Sequence, residues 1–558
     1  MANQQPSGQG RNANNNSGAR NKRFSFDPKW LIYFVIILSV IITTICLNVN
    51  RNNDSVSKIT GTIDADNGDT KINWERFPTN EIELTESLNI TTSGTYHLTG
   101  AIEGGLISIN AGVEGVVRLI LDNVSITNSD GPAIYCQNGD DLVIETVGST
   151  YLEDGDSYST DYDEDVTGAI YSKADLTFQG EGRLIIRGQY QDAIVGKDDV
   201  KFNSGEYDIT ATDDGIRGKD SVYVVNGDIT IEAGADGIKS TNETDAGKGF
   251  VMIEGGNFNI TAGAKGIKAT KSLLFYNGNF MLNTYDDAIH SNSYVGIMGG
   301  IYNISSGDDG IHADRELIIN DGEITIARSY EGVEAQAITI NGGNISITSS
   351  DDGMNAGGGA DASANNRPGA GMFDADENCV LLIAGGKVYV NASGDGIDSN
   401  GWLYFNGGEV IVDGPTNNGN GALDAGMGIA MNGGSVIAVG SSGMAETLGL
   451  NSSVYNVSVY LDSAMEPNTE IEIKDAAGDT ILGHTAQKSF NHIAVGSEAF
   501  KLGNTYTIYL NGEEYNSFTI TNTVTTVGNS NMNQQMTPGN NQDGNQQMMP
   551  GRNGTNRR

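Results

Sequence analysis

The chain has 558 residues, with 71 Asp plus Glu against 32 Lys plus Arg, a net charge of −39, 75 Gly, 9 Pro and 3 Cys. A chain this acidic, with no basic block, does not bind nucleic acid through phosphates; three cysteines cannot build a disulfide scaffold, and Gly without Pro excludes collagen. An apolar share of 38% is too high for a disordered polymer, which leaves a long, folded, Gly-rich body of the kind that repeats produce.

Residues 1–29 read as a cytoplasmic tail and residues 30–49 as a transmembrane helix, 20 residues without a charge. At about 1.5 Å per residue that length spans a hydrocarbon core of about 30 Å. Arg11, Arg20, Lys22, Arg23 and Lys29 precede it against one acid, Asp27. The bias keeps the N-terminus inside and sends the bulk of the chain outside, as a single-pass protein of the cell membrane. The flank ITTICLNVN offers no small-x-small cleavage site. Residues 50–75 form a polar linker. Residues 90–100 and 116–128 read as irregular early coils of the repeat body. Cys136 and Cys379 fall in distant repeats and are expected as buried free thiols.

From Ala193 the chain repeats. A Gly-like position recurs at Ala193, Gly215, Gly237, Gly266, Ala288, Gly310, Gly332, Gly353 and Gly396, in steps of 22, 22, 29, 22, 22, 22, 21 and 43. The two long steps carry insertions at 242–249 and 357–378. Each block holds three β-like pieces: Gly-Ile-x, a four-residue apolar run ending at Asn-Gly or Gly-Gly, and a stretch alternating with period two, such as Phe258/Ile260 and Phe280/Leu282. In isolation the Asn-Gly steps read as hairpins. A fixed period of about 22 with three strand pieces reads instead as one coil of a parallel β-helix. Stacking then aligns Phe202, Val224, Ile253, Phe275, Ile319, Ile340, Ile383 and Phe405 in one buried column. Asn203, Asn320, Asn341, Asn406 and Asn432 follow in register as a ladder, and Gly supplies positive φ at the corners. The predicted β-helix covers 76–444. Beyond it the period is lost, and 454–461, 470–474 and 505–510 alternate like antiparallel strands, a small β cap over 445–527. Residues 528–558, rich in Asn, Gln, Met and Gly, lack the composition for a core.

Coils stacked about 4.8 Å apart turn a repeated residue into a surface line. The first line holds Asp192, Asp214, Asp236, Asp287, Asp309, Asp352 and Asp395, doubled by Asp213, Asp286, Asp308 and Asp351. Such carboxylates repel and call for protonation or a cation. Outside a cell Ca2+ is the natural ion, a hard cation taking six to eight oxygens. Asx turns, each Asp bonding its own Gly-Ile amides, are the alternative. The second line, two residues after each Gly-like position, runs Arg217, Lys239, Lys268, His290, His312, Glu334, Asn355 and Asp398. Its bases can bind the carboxylates of an acidic sugar polymer beside the Asp-bound ions, or simply neutralise the aspartates. His290 and His312 can hold a transition metal together or form an exposed ladder pair. The loop at 153–165, with seven acids and no base, can bind Ca2+ or be solvated.

The wording of residues 130–155 (DGPAIYCQNGDDLVIETVGSTYLEDG), 168–202 (GAIYSKADLTFQGEGRLIIRGQYQDAIVGKDDVKF) and 212–240 (TDDGIRGKDSVYVVNGDITIEAGADGIKS) resembles a family of bacterial surface carbohydrate-binding β-helix proteins best known from clostridia. Residues 488–512 resemble that family's C-terminal cap. The resemblance covers about 75–520. It implies a right-handed parallel β-helix with bound Ca2+, similar in shape to pectate lyases, that binds plant polysaccharides, acidic pectic chains included, without established catalysis. The Asp-Gly-Ile motif maps onto Asp214, Asp236, Asp309, Asp352 and Asp395. Lys265 and Glu331 depart from it at the Asp position, and Ala193 and Ala288 at the Gly position.

Three functions are therefore in play. The first is a membrane-anchored, Ca2+-dependent binder of extracellular polysaccharide. The second is a pectate or uronate lyase in which Ca2+ acidifies the proton beside a carboxylate and Lys239 or Lys268 is the base. The third is an adhesion stalk at the cell surface. Aromatics at 7%, many at inward positions, favour charged ligands over neutral sugars, which stack on exposed rings; Tyr285, Tyr294 and Tyr330 are the candidates near the two lines.

Overall fold

The computed structural model describes residues 72–357 and 375–528. The predicted anchor at 30–49, the tail from 529 and most of the 357–378 insertion lie outside them. Among the described residues no helix is long and apolar enough to cross a membrane. They fall within one unit, Thr62–Arg558.

The fold is a right-handed parallel β-solenoid of about 15 turns with nearly no helix. One coil shows how the sequence makes it. Ile216–Gly218, Ser221–Val224 and Asp228–Ala233 are its three strands. Each pairs in parallel with the matching strand of the next coil: Ile216 with Ile238, Val224 with Ile253 and Ile231 with Ile260. One-to-one register keeps the period-two pattern in phase, so Ile229 and Ile231 point inward in every copy. The Asn-Gly and Gly-Gly steps are therefore corners and not hairpins. In four of them the second residue is a glycine of positive φ, 113° at Gly256, 136° at Gly278, 107° at Gly300 and 131° at Gly322, which turns the chain toward the third strand.

The glycine of Asp-Gly-Ile works differently. Its φ is ordinary; what it supplies is space. A Cβ at Gly215 would lie 2.5 Å from the carbonyl oxygen of Gly237, and one at Gly237 would lie 2.5 Å from that of Gly266.

The column from Phe202 to Phe405 forms as expected, with Ile297 also in it, each member paired with the next and fully buried. Each such side chain contributes about 1.5–3 kcal/mol by leaving water. Beside it Phe258, Phe280 and Tyr302 stack with centroids 4.8 and 4.6 Å apart. The asparagine ladder exists in two pieces: Asn341 donates to Asn320 at 2.8 Å and Asn432 to Asn406 at 3.0 Å. The early segments are regular coils. Gly94–Glu103 pairs in parallel with Val116–Asp122, and Ile107–Asn110 with Ile134–Asn138. Cys136 and Cys379 are buried and free.

At the C-terminal end the last coil strand, Gly428–Gly440, takes an antiparallel partner, Phe490–Ser497, which pairs in turn with Asn456–Met465. A separate four-stranded antiparallel sheet runs Thr480–Thr485, Glu470–Lys474, Thr505–Leu510, Glu513–Thr519. Its Ile471, Ile473, Ile508 and Phe518 share one core with Val439, Val459 and Val495 of the antiparallel strands that extend the last coil. Covering the last parallel strand removes an open edge that would otherwise recruit another chain.

Candidate functional site

Both lines seen in the sequence form, along the first strands and the turn before them. The stacking is set by pairing: Arg217 aligns with Lys239, Lys239 with Lys268, Lys268 with His290, His290 with His312, and His312 with Glu334. The aspartates are not a surface line. Asp192, Asp214 and Asp287 are fully buried, and Asp236 and Asp309 nearly so.

Asp192, Asp214, Asp236 and Asp287 are each satisfied twice. One oxygen accepts the N–H of the residue at the same position in the next coil. Asp214 donates to Asp192 at 3.2 Å, Asp236 to Asp214 at 3.1 Å, Lys265 to Asp236 at 3.1 Å and Asp309 to Asp287 at 3.0 Å. The amide served is thus the next coil's, where an Asx turn would serve its own. The second oxygen meets a cation. Arg217 reaches back one coil to Asp192 at 2.7 Å, and Lys239 reaches back to Asp214 and lies 3.4 Å from Asp236. Lys265, standing where an aspartate is expected, reaches forward to Asp287 at 2.5 Å and Asp286 at 3.0 Å. Burial works against the Lys239 charge, but Asp214 outweighs it and holds the ammonium above its ordinary value. Burial alone would raise the Asp287 carboxyl; hydrogen bonding from His290 and the charge of Lys265 hold it well below. Lys268 is the exception. It is half-buried and makes no ion pair among the described residues.

The histidines are buried, not exposed. His290 and His312 stack with centroids 4.8 Å apart and planes 9° apart. His290 Nδ1 lies 2.7 Å from Asp287, and His312 Nδ1 lies 3.0 Å from Asp309 and 2.8 Å from Glu334. Past His312 the bases end. Among the described residues Asp352, Asp395 and Asp398 have no cation beside them, and register extends the second line to Asp424. Glu446 follows, accepting the N–H of Ala425 and facing Asp424 and Asp395. Burial, and then their mutual repulsion, push these carboxyls up, to about 7 at Asp352, 6 at Asp395, 8 at Asp398 and 8 at Glu446. Asp424 and Glu446 were missed in the sequence because the Gly-like position there is Ala422 and the repeat no longer reads; extending the Ile397–Ser399 register by one coil would have found Asp424.

The doubled aspartates lie at the rim. Asp286 is one-third exposed, and Tyr330, itself at the doubled position of its coil, hydrogen-bonds Asp351. Tyr285 is 81% exposed and Tyr330 43%, so both rings stand open beside the column. The acidic loop at 153–165 is tied down. Tyr158 donates to Asp154 at 2.7 Å and stacks on Tyr190, and Asp165 holds Lys197 at 3.0 Å. Tyr135, Tyr158, Tyr162 and Tyr171 form a cluster of rings there that no sequence period announces.

Comparison with known proteins bears out the resemblance. Residues 85–353 match the model of the family described as carbohydrate-binding domain-containing protein. A curated relative of that description from Acetivibrio thermocellus is 29% identical over 128 residues, 22% of this chain and 45% of the relative. The match thus spans less than half of that relative's length. Among solved structures, the gadolinium derivative of a polysaccharide lyase-like protein from C. thermocellum is similar at 26% identity, with a TM-score of 0.36 over 43% of this chain and 95% of that one.

Proposed function

We propose that the protein is a non-catalytic carbohydrate-binding protein, held outside the cell membrane by residues 30–49, that takes acidic polysaccharide of the pectic or other uronate class in a Ca2+-dependent way. The observation that carries this reading is the family match over 85–353, which contains every base of the second line. Lys268, without an ion pair, is the base free to meet a sugar carboxylate. Arg217 and Lys239 contribute field more than contact, because aspartates already hold them. Tyr285 and Tyr330 offer exposed rings for sugar faces on either side.

We assign Ca2+ to the coils from Asp352 to Glu446, a reading that the donor chemistry supports. There the carboxylates have no cationic partner among the described residues, the donor set is all oxygen, and a Cβ at Gly394 would strike the carboxylates of Asp351 and Asp352, so the chain leaves room beside them. Ca2+ would supply a positive point to which a sugar carboxylate can bridge. Asp214, Asp236 and Asp287 fit an ion less well, since Arg or Lys already occupies that role.

Binding of polygalacturonate measured by calorimetry is the test. Lys268→Gln is expected to weaken it at least fivefold and EDTA to weaken it further, while a neutral glucan stays a poor ligand. Equal affinity for the neutral glucan, or wild-type affinity in both Lys268→Gln and EDTA, would overturn the reading. Lyase chemistry needs a neutral amine, and Lys239 is held charged. Lys268 is the remaining base, and absorbance of unsaturated product on a uronate panel would reveal it.

A further inference from the structure

The second line changes sign between His312 and Glu334, where its last base meets its first acid in register. Three carboxylates converge on one imidazole at this seam. His312 Nε2 lies 3.1 Å from Asp314 Oδ1. His312 Nδ1 lies 3.0 Å from Asp309 Oδ2 and 2.8 Å from Glu334 Oε2. Nδ1 carries at most one proton, so one N–H faces two acceptor oxygens and can serve only one of them well. No lysine or arginine pairs with Asp309 or Glu334 among the described residues. One imidazole, even carrying two protons, brings a single positive charge to three carboxylates, and a shared divalent cation resolves that shortfall.

We propose that Asp309, His312 and Glu334 bind one divalent transition-metal ion of the Zn2+ class, with Asp314 as the outer partner that fixes the ring. The three donor atoms lie within 4.8 Å of one another. With Nε2–H donating to Asp314, the Nδ1 lone pair turns toward the two carboxylates, the arrangement in which a histidine ligand is oriented by a carboxylate on its other nitrogen. Zn2+ bonds of about 2.0–2.1 Å set tetrahedral ligand edges of about 3.3 Å, so the donors need open by only a few tenths of an ångström. The nitrogen ligand selects this class of ion over Ca2+, which prefers oxygen alone. Side-chain exposures of 29% at Asp314 and 12% at Glu334 leave one side for ion entry and a water as fourth ligand. Asp309 and His312 belong to one coil and Glu334 to the next, so the ion is a staple between coils. It is independent of whether the protein binds a glycan.

The full-length protein, stripped with EDTA and titrated with Co2+, tests this. One ion per chain is expected to produce the visible d–d band of a four-coordinate nitrogen/oxygen site, displaced by Zn2+ and not by millimolar Ca2+. Glu334→Gln and His312→Asn are expected to lose at least tenfold in Co2+ affinity. His290→Asn, which removes the stacked neighbour and no ligand, is expected to keep it. Wild-type protein showing no such band up to millimolar Co2+ would overturn the proposal whatever the variants do. So would a band abolished by His290→Asn and retained in Glu334→Gln. Should a variant fail to fold by circular dichroism, Cu2+ electron paramagnetic resonance on the wild type decides, with coupling to one imidazole nitrogen expected and to none, or to two, overturning it.

Discussion

At the scale of single residues, the decisive fact is that Lys239 does not face solvent with its charge; it neutralises a carboxylate that is fully buried. Removing one partner of such a pair leaves an uncompensated buried charge, at a cost of about 3–5 kcal/mol. Lys239→Met should therefore destabilise the protein by about that amount in urea unfolding. Adding Asp214→Asn should recover most of the loss, because the amide oxygen still accepts the Asp236 N–H. Recovery of less than half would mean the lysine acts by packing alone. The pairing was only half legible in the sequence. Spacing placed the acids and the bases in two lines, yet it could not say that Arg217 and Lys239 reach back one coil while Lys265 reaches forward. Nor could it show that the turn folds inward and buries the aspartates, since exposure depends on how neighbouring coils close over the turn.

At the scale of the coil, the sequence was far more informative, because a parallel solenoid writes its register directly as a period. The Phe202–Phe405 column and the inward pairs of the third strands were readable from spacing alone. What was not readable was the role of each glycine: Gly278 is needed for its φ of 136°, whereas Gly215 is needed for the approach of Gly237, and both are the same letter. The early coils were legible at 90–100 and 116–128 but read as irregular, because their spacing departs from 22: Ile134 pairs with Ile170, and Ile170 with Ile194. Ring stacking supplies a measurable consequence. Phe280 lies between Phe258 and Tyr302 at 4.8 and 4.6 Å, so Phe280→Ala should cost about 3–5 kcal/mol. Met281 beside it is 59% exposed, and Met281→Ala should change stability by less than about 0.5 kcal/mol. Similar thermal shifts for the two variants would contradict the inward–outward assignment. The cap carries a second such device. His492 is buried against Ser458 at 2.8 Å, and burial holds its imidazole down to about 4 from 6.5. A histidine with a depressed value stabilises the fold above its unfolded value and loses that contribution as pH falls from about 6.5 to 4, worth roughly 3 kcal/mol. Amide exchange in Asn456–Met465 and Phe490–Ser497 should accelerate between pH 6.5 and 4.5 once corrected for intrinsic rates, and His492→Gln should remove that dependence.

Across the whole molecule, the net charge of −39 is unevenly resolved. Coils from Asp192 to Asp287 carry their own cations; among the described residues, coils from Asp352 to Glu446 do not. The carboxyls there are raised by burial, to about 8 at Asp398 and Glu446. A carboxyl with a raised value binds its proton more tightly folded than unfolded, so its contribution is full below the unfolded value near 4 and is lost as pH climbs through 8. This is opposite in sign to the histidine of the cap. In EDTA, amide exchange in Ile397–Ser399 and Leu423–Ala425 should therefore quicken from pH 5 to pH 8, after the same correction, while Ile216–Gly218 and Ile238–Ser240 stay protected. Millimolar Ca2+ should reverse the change at pH 8 and do little at pH 5, where protons already occupy the site and compete with the ion. A Ca2+ effect of equal size at both pH values would mean that the ion binds elsewhere. A change spread evenly over all coils would mean that the paired aspartates of the N-terminal coils are no better satisfied than the unpaired acids. Only a change confined to the C-terminal coils fits a solenoid that neutralises one half of its carboxylate line with its own side chains and the other half with ions from the medium.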